Sequence, residues 1–549
     1  MTMAAAGKAQ RRSPGRPPAW RSVPLPLLLG VAAYLWLVHA PLLGLAWETG
    51  RSLVQHPELL AQALPTERRL PLLGRSLALS LGAALAAGGI ALLAAPRFWR
   101  RHPARLARWR WLVLGLAPVP AYVHALAWLP VRSALEARLG PDWATPLAWL
   151  GSGWVLTMAF LPLALLVTLV ALESVPRPLT DAAAVLDDDD QAYRRVLVPL
   201  AAPLLLVGLA LIFLLGLLDY SVPTLYQLNV YAMEVFVAFS QGNEAARAVL
   251  VALPLLLMGA LLTLTLGRRA ARIAAAAGAR VRPAARPLRW GRLLGALQLL
   301  AAAVVLLQAA VPLYTLTRLA GTGGQAMEAL RAGGADLAYS LAVAALAGGL
   351  ALPPALAAAL WLQGARAGWS SRGRWILAVL PLGLPPALVG IGLIAVYNQP
   401  LLYQPRLRLH GTDAMPVLAA MARFLPLQAL LVYGQLQRLD PGLIDAARVY
   451  QGSPLAGWLR IRLPLLLPGL AGAAALGFAL ALGELGATLV VTPAGRGTLT
   501  LRIYNYLHYG ASDAVAALCL AMVALALLAG AAAGLLLGRG GWQPGEAEA

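Results

Sequence analysis

The chain has 549 residues, 60% of them hydrophobic and only 12% charged, with a formal net charge of +21 and a mean hydropathy of +0.71. Soluble domains carry about 25% charged residues, so this composition excludes an ordinary water-soluble protein and requires a lipid bilayer around it. The positive charge is almost all arginine, held in short segments between apolar runs without interleaved stacking aromatics, which argues against nucleic acid.

In chain order, the first element is an N-terminal tail, 1–23, with Lys8, Arg11, Arg12, Arg16 and Arg21. The apolar run that follows is too long for a signal-peptide core and reads as a retained first span. A spanning helix needs about 20 largely apolar residues. Candidates are 24–47, 71–95, 111–130, 147–172, 200–222 and 247–267, then 293–316, 336–362, 375–398, 414–436, 464–487 and 512–538. Loops 96–110, 268–292 and 363–374 carry arginines and no acid, whereas the alternate loops are mixed. That alternation predicts twelve spans with both termini cytoplasmic. Tyr504, Asn505, Tyr506, His508 and Tyr509 read as an interfacial aromatic belt, and Gly348–Gly349 as a close helix contact. His39 and His124 are lone intramembrane histidines that read as packed. With one cysteine, Cys519, no intrachain disulfide is possible and no metal site is expected.

The twelve spans divide into a first half, 24–267, an arginine-rich cytoplasmic linker, 268–292, a second half, 293–538, and a tail, 539–549. After the fourth span of each half comes a segment unlike a plain connector: "DAAAVLDDDDQAYRRVLVP" from Asp181 and "DAARVYQGSPLAGWLRIRLP" from Asp445. Pro199 and Pro464 close the two segments, and an acid follows each proline at the same interval, Asp219 and Glu484. Both segments fall on one side of the membrane, so the repeat is parallel. In the second segment Asp440-Pro441 starts one short helix, Gly452 ends it, and Ser453-Pro454 starts another. That second helix carries Leu455, Trp458, Leu459 and Arg462 on one face, and Pro464 opens the next span. In the first segment the acids Asp187 to Asp190 suit the start of the corresponding second helix. Asp219 and Glu484 lie about 30 Å from the inner end of their spans. They read either as ordinary interfacial acids or as an outer-gate carboxylate pair meeting a cationic substrate.

The second segment resembles the cytoplasmic loop of permeases in binding-protein-dependent ABC importers. Asp445, Ala446 and Ala447 stand for its opening triplet, and Ile461, Leu463 and Pro464 fall at its intervals. Gly452 stands one place late. In the first copy Asp181, Ala182, Ala183 and Pro199 match, with one residue fewer between them and Asp187 at the glycine position. The fused length is similar to that of ferric-iron and thiamine importer permeases. The resemblance implies an all-α membrane fold of two parallel six-helix halves, of the type I ABC importer permease kind, in a bacterial inner membrane. It implies that the two segments couple the chain to a homodimer of ATPase subunits, and that an extracytoplasmic binding protein delivers the substrate. That substrate is expected to be ferric iron or a related small ion or cation, with thiamine or another small molecule the alternative. No cofactor is expected here: ATP–Mg belongs to the partner, since the only lysine, Lys8, lies outside any Walker A pattern. A membrane enzyme would need a second constellation of polar residues, which is missing. An ion-coupled transporter would want mid-span acids or broken helices, and no candidate span carries a mid-span acid.

Overall fold

The computed structural model describes residues 25–98, 119–176, 188–242, 244–277, 290–364, 369–400, 408–440, 453–509 and 512–539, and isolated positions of the two inner segments. The terminal tails, 1–24 and 540–549, and residues 278–289 of the linker lie outside the described residues. Every regular element among the described residues is helical. Ten helices there are long and apolar enough to cross a membrane, and one further span is a bent pair. The expected span 111–130 is described only from residue 119.

The first series runs α1 (Leu25–Gln55), α2 (Arg69–Phe98), α3 (Ala121–Leu139), α4 (Ala144–Glu173), short α5 (Asp189–Ala192), α6 (Val198–Leu218), short α7 (Ser221–Leu225), α8 (Tyr231–Gly242) and α9 (Ala245–Ala277). The second runs α10 (Arg292–Leu319), α11 (Gly323–Ala332), α12 (Gly334–Leu350), α13 (Leu352–Gln363), α14 (Trp369–Val379), α15 (Pro386–Tyr397), α16 (Ala414–Gln437), short α17 (Pro454–Gly457), α18 (Leu463–Leu482), short α19 (Thr488–Val491), α20 (Leu499–Tyr509) and α21 (Ser512–Arg539). Local details recur between the two. Ser76 of α2 accepts the Tyr231 N–H at the start of α8 (2.8 Å), and Ser340 of α12 accepts the Leu499 N–H at the start of α20 (2.6 Å). Each serine satisfies one of the orphan donors of a helix N-terminus.

The span expected over 375–398 is not one straight helix. It breaks after α14, passes through a 3₁₀ turn (Leu380–Gly383) and resumes as α15 with a bend of 106°. The cause is local: Pro381, Pro385 and Pro386 offer no N–H, and Pro385, preceding a proline, is held extended at ψ 135. Pro120, at the matching position of the first half, sits at the same kind of start before α3, with ψ 145.

The two series exchange their first helices. α1 packs on α13, α15 and α16 of the second series, while α10 packs on α2, α3 and α4 of the first. Small residues permit the close approach: a Cβ on Gly392 would collide with the Pro41 carbonyl oxygen, and one on Gly44 would fall 2.5 Å from that of Gly392. Polar bonds tie the same contact, Tyr34 Oη donating to Ala378 O (2.9 Å) and Trp36 Nε1 to Tyr397 Oη (3.2 Å). Each bundle is therefore completed by a helix from the other.

Candidate functional site

A cavity of about 520 Å³ lies at the seam between the series. The walls come from α4 and α6 on one side and α16 and α18 on the other, and Pro120 and the break at Pro381–Pro386 border it. Most of the lining is apolar. The charges facing it are Asp219, Arg423 and Glu484.

Asp219 and Glu484 follow closely on α6 and α18, and each then caps the short helix after it. Asp219 Oδ1 accepts the Val222 N–H (3.0 Å) and the Ser221 hydroxyl (3.1 Å) at the start of α7. Glu484 Oε1 accepts the Ala487 N–H (2.7 Å) at the start of α19, and its backbone oxygen accepts from Thr488 and Thr500 (2.9 Å each). The other Glu484 oxygen is ion-paired with Arg423. The Glu484 side chain is 1% exposed and that of Arg423 21%. Glu484 is thus no ordinary interfacial acid: it is buried and holds a counter-charge. A carboxylate and guanidinium withdrawn from water together escape most of the cost of burying either alone.

Sequence reasoning looked for mid-span acids and passed over a mid-span arginine. The signal was present. "AFLP" at Ala159–Pro162 recurs as "RFLP" at Arg423–Pro426, in the fourth span of each half. Phe160 and Phe424 both line the cavity. Arg423 is the one substitution in the repeated tetrapeptide, and it enters the cavity from the second series alone.

The inner segments are described in part. Asp181, Ala183, Asp187, Ala446, Ala447 and Gly452 lie outside the described residues; Ala182 and Asp445 are helical, and Asp445 is exposed. Asp440 Oδ1 accepts the Gly442 N–H at 2.9 Å. Asp188 caps α5 by accepting the Gln191 N–H (2.7 Å), and Ser453 caps α17 by accepting that of Ala456 (3.1 Å). The second short helix does not end before the span, as expected of a separate element. It continues through one π-helical turn, Tyr193–Leu197 and Trp458–Arg462 respectively, straight into α6 and α18. The proline explains the turn. Pro199 and Pro464 have no N–H for the carbonyl four residues back, and their rings crowd it. Widening the preceding turn relieves that crowding without breaking the rod. Ile461, Leu463 and Pro464 lie in this junction, Pro199 and Pro464 both exposed.

The aromatic belt residues fall on α20, where Tyr506 Oη accepts from Arg502 Nη2 (2.7 Å) and Arg502 Nη1 pairs with Asp336 (2.5 Å). His39 Nδ1 lies 3.1 Å from the Leu35 carbonyl oxygen of its own helix. Cys519 is buried as a free thiol.

An all-helical, multi-pass membrane chain of two like-ordered series around a seam is a type I ABC permease fold. Comparison with known proteins agrees. The chain is 32% identical to the molybdenum transport system permease protein ModB of Haemophilus influenzae over 159 residues, 27% of this chain and 69% of that one. It is 35% identical to ModB of Mycobacterium tuberculosis over 170 residues, 29% of this chain and 64% of that one. It is also 31% identical to a putative 2-aminoethylphosphonate transport system permease protein, PhnV, of Salmonella typhimurium over 160 residues, 28% of this chain. There the match spans 57% of the relative's length. No protein-family model matches the chain. The chain belongs to the ABC transport-system permease proteins. Its 549 residues make it about twice as long as these relatives.

Proposed function

We propose that this chain is the two-half permease of a binding-protein-dependent ABC importer, with its substrate path through the seam cavity. The observation that carries the reading is continuity. α6 and α18 run without a break from the inner segments, through a π turn, to Asp219 and Glu484 at the cavity. A stiff rod rooted where a motor pushes and ending where a path narrows is a lever. In this reading segments 181–199 and 445–464 dock on two separate ATPase subunits at the inner face of a bacterial inner membrane, where both termini also lie. An extracytoplasmic binding protein loads the other face. The halves are 24–267 and 293–538, joined by 268–292.

For the substrate we propose a small solute bearing an oxyanion. The relatives' names specify molybdenum and 2-aminoethylphosphonate. Arg423 supplies a cavity-facing guanidinium able to grip such a group through paired N–H donors. Ferric iron and thiamine, which the resemblance implied, draw no support from these relatives. Asp219 and Glu484 act here as caps and counter-ions that hold Arg423 charged and aimed.

The test is reconstitution. The chain purified from its native host should bring an ATPase subunit with it. In vesicles with that subunit and the binding protein, it should take up molybdate or 2-aminoethylphosphonate only when ATP is hydrolysed. Asp445→Arg should leave the fold intact and weaken ATPase association several-fold. Uptake without any ATPase would instead favour an ion-coupled transporter, a reading for which the broken third span of the second half is the structural argument.

A further inference from the structure

The acid run of the first inner segment departs from its counterpart, and its last member makes a contact that the capping role does not require. Asp190 reaches across to the linker's end, where Oδ1 and Oδ2 both accept the Gly291 N–H, at 3.0 and 3.1 Å. Gly291 is the N-cap residue of α10. The approach is close: a Cβ there would fall 2.5 Å from Asp190 Oδ2, so a larger residue would push the carboxylate off the N–H. Beside it, the Tyr193 ring meets Trp290 edge-on, with centroids 5.5 Å apart and planes at 89°. The Tyr193 hydroxyl donates to the Leu92 carbonyl of α2 at 2.7 Å. Arg97, in the last turn of α2, donates to Gly295 O of α10 at 3.1 Å. Three elements distant in sequence are thus bonded at one point: the start of the lever α6, the inner end of α2, and the start of α10. Leu455 holds the position equivalent to Asp190 and has no carboxylate, so the second segment cannot repeat this bond.

We propose that Asp190, Tyr193, Trp290 and Gly291 form a latch that fastens the first inner segment to α10, making them positioning residues for coupling. The proposal rests on the reading of segment 181–199 as an ATPase-coupling element. Motion imposed on that segment then enters the bundle by two routes, through the π turn into α6 and across the latch into α10. Because α10 packs on α2, α3 and α4, the second route carries these three helices with the segment. The first segment's rigidity then comes from the linker rather than from the glycine turn of the family pattern. The latch stays closed throughout the cycle.

Two measurements test this. First, D190C and G291C are combined in a C519S background. An ideal Cβ at 291 lies 3.5 Å from the Asp190 Cγ, the place the D190C sulfur takes, within reach of a disulfide. The expected result is efficient cross-linking upon oxidation, with ATP-driven uptake of molybdate or 2-aminoethylphosphonate in vesicles low in the reduced double variant, which lacks the carboxylate, and raised several-fold once the disulfide replaces the bond. Failure to cross-link overturns the latch, and a cross-link that stops uptake or leaves it at the reduced level overturns its permanence. Second, Asp190→Ala should still co-purify with the ATPase and support ATP hydrolysis, while uptake falls by roughly tenfold, the size of an ordinary coupling between sites. Unchanged uptake, or hydrolysis and uptake falling in parallel, overturns the positioning role. If the parent chain brings down no ATPase, it is the coupling reading that fails, and the cross-link still decides whether the latch exists.

Discussion

The Arg423–Glu484 pair offers a sharp energetic test, because the two partners are buried to different degrees. Arg423→Leu leaves a Glu484 carboxylate that is 1% exposed with one N–H, that of Ala487, for support. Stranding a buried charge in this way costs about 3–5 kcal/mol. Glu484→Gln is milder. The amide oxygen still accepts from Ala487, and Arg423, 21% exposed onto the cavity, can draw in water, so the cost is about 1–3 kcal/mol. The double variant buries no charge and keeps the cap, and should cost no more than about 1 kcal/mol. The double variant is therefore expected to be more stable than Arg423→Leu alone. Denaturant titration of the purified chain in detergent, followed by loss of tertiary fluorescence, measures all four corners of the cycle. Additivity of the two single effects to within about 0.5 kcal/mol would mean that the groups do not interact, and the account of the cavity's charges would fall.

Two further expectations concern the frame. Gly392→Leu drives side-chain atoms into the Pro41 backbone, so α1 must lift off α15. The expected destabilisation is about 1–3 kcal/mol, read by the same titration, with Gly50→Leu, where nothing lies within 4 Å of an added Cβ, as the near-silent comparison. Ser76→Ala and Ser340→Ala each strand a buried helix-start N–H, of Tyr231 and Leu499, and each should cost about 1–2 kcal/mol. Faster amide exchange confined to α8 in one variant and α20 in the other is the specific readout.

What was legible in the sequence was what depends on short-range physics. Apolar runs of sufficient length mark spans whatever they pack against, and Pro199/Pro464 with Asp219/Glu484 mark the repeat because side chains with fixed local roles keep their spacing. The break before α15 was written as Pro381 and Pro385-Pro386, but a hydropathy average over 375–398 smooths three prolines into an apolar background. Arg423 vanished for the same reason, one charge among leucines and alanines, although the "AFLP"/"RFLP" pair singles it out. The exchange of α1 and α10 had no such local mark. It depends on which faces the glycines at 44 and 392 open to a helix in the opposite half of the chain, and periodicity within one helix says nothing about the identity of its neighbour.

The symmetry of the frame and the asymmetry of its charges bear on one another. Among the described residues cap, π turn and terminal acid recur at matching positions of the two halves, so in the proposed reading a push delivered equally at the two inner segments moves the walls equally. The cavity those walls enclose is nevertheless lopsided, since Ala159 holds the place of Arg423 in the first series, and Asp219 caps a helix where Glu484 also pairs with a guanidinium. In the proposed reading a solute on the seam therefore experiences a two-fold mechanical environment and a one-sided electrostatic one. An anionic group held against Arg423 must compete with Glu484 for the same guanidinium, so it binds only as firmly as that exchange allows. A path needs such weak holding, because a site that gripped without a built-in competitor would trap its cargo rather than pass it on.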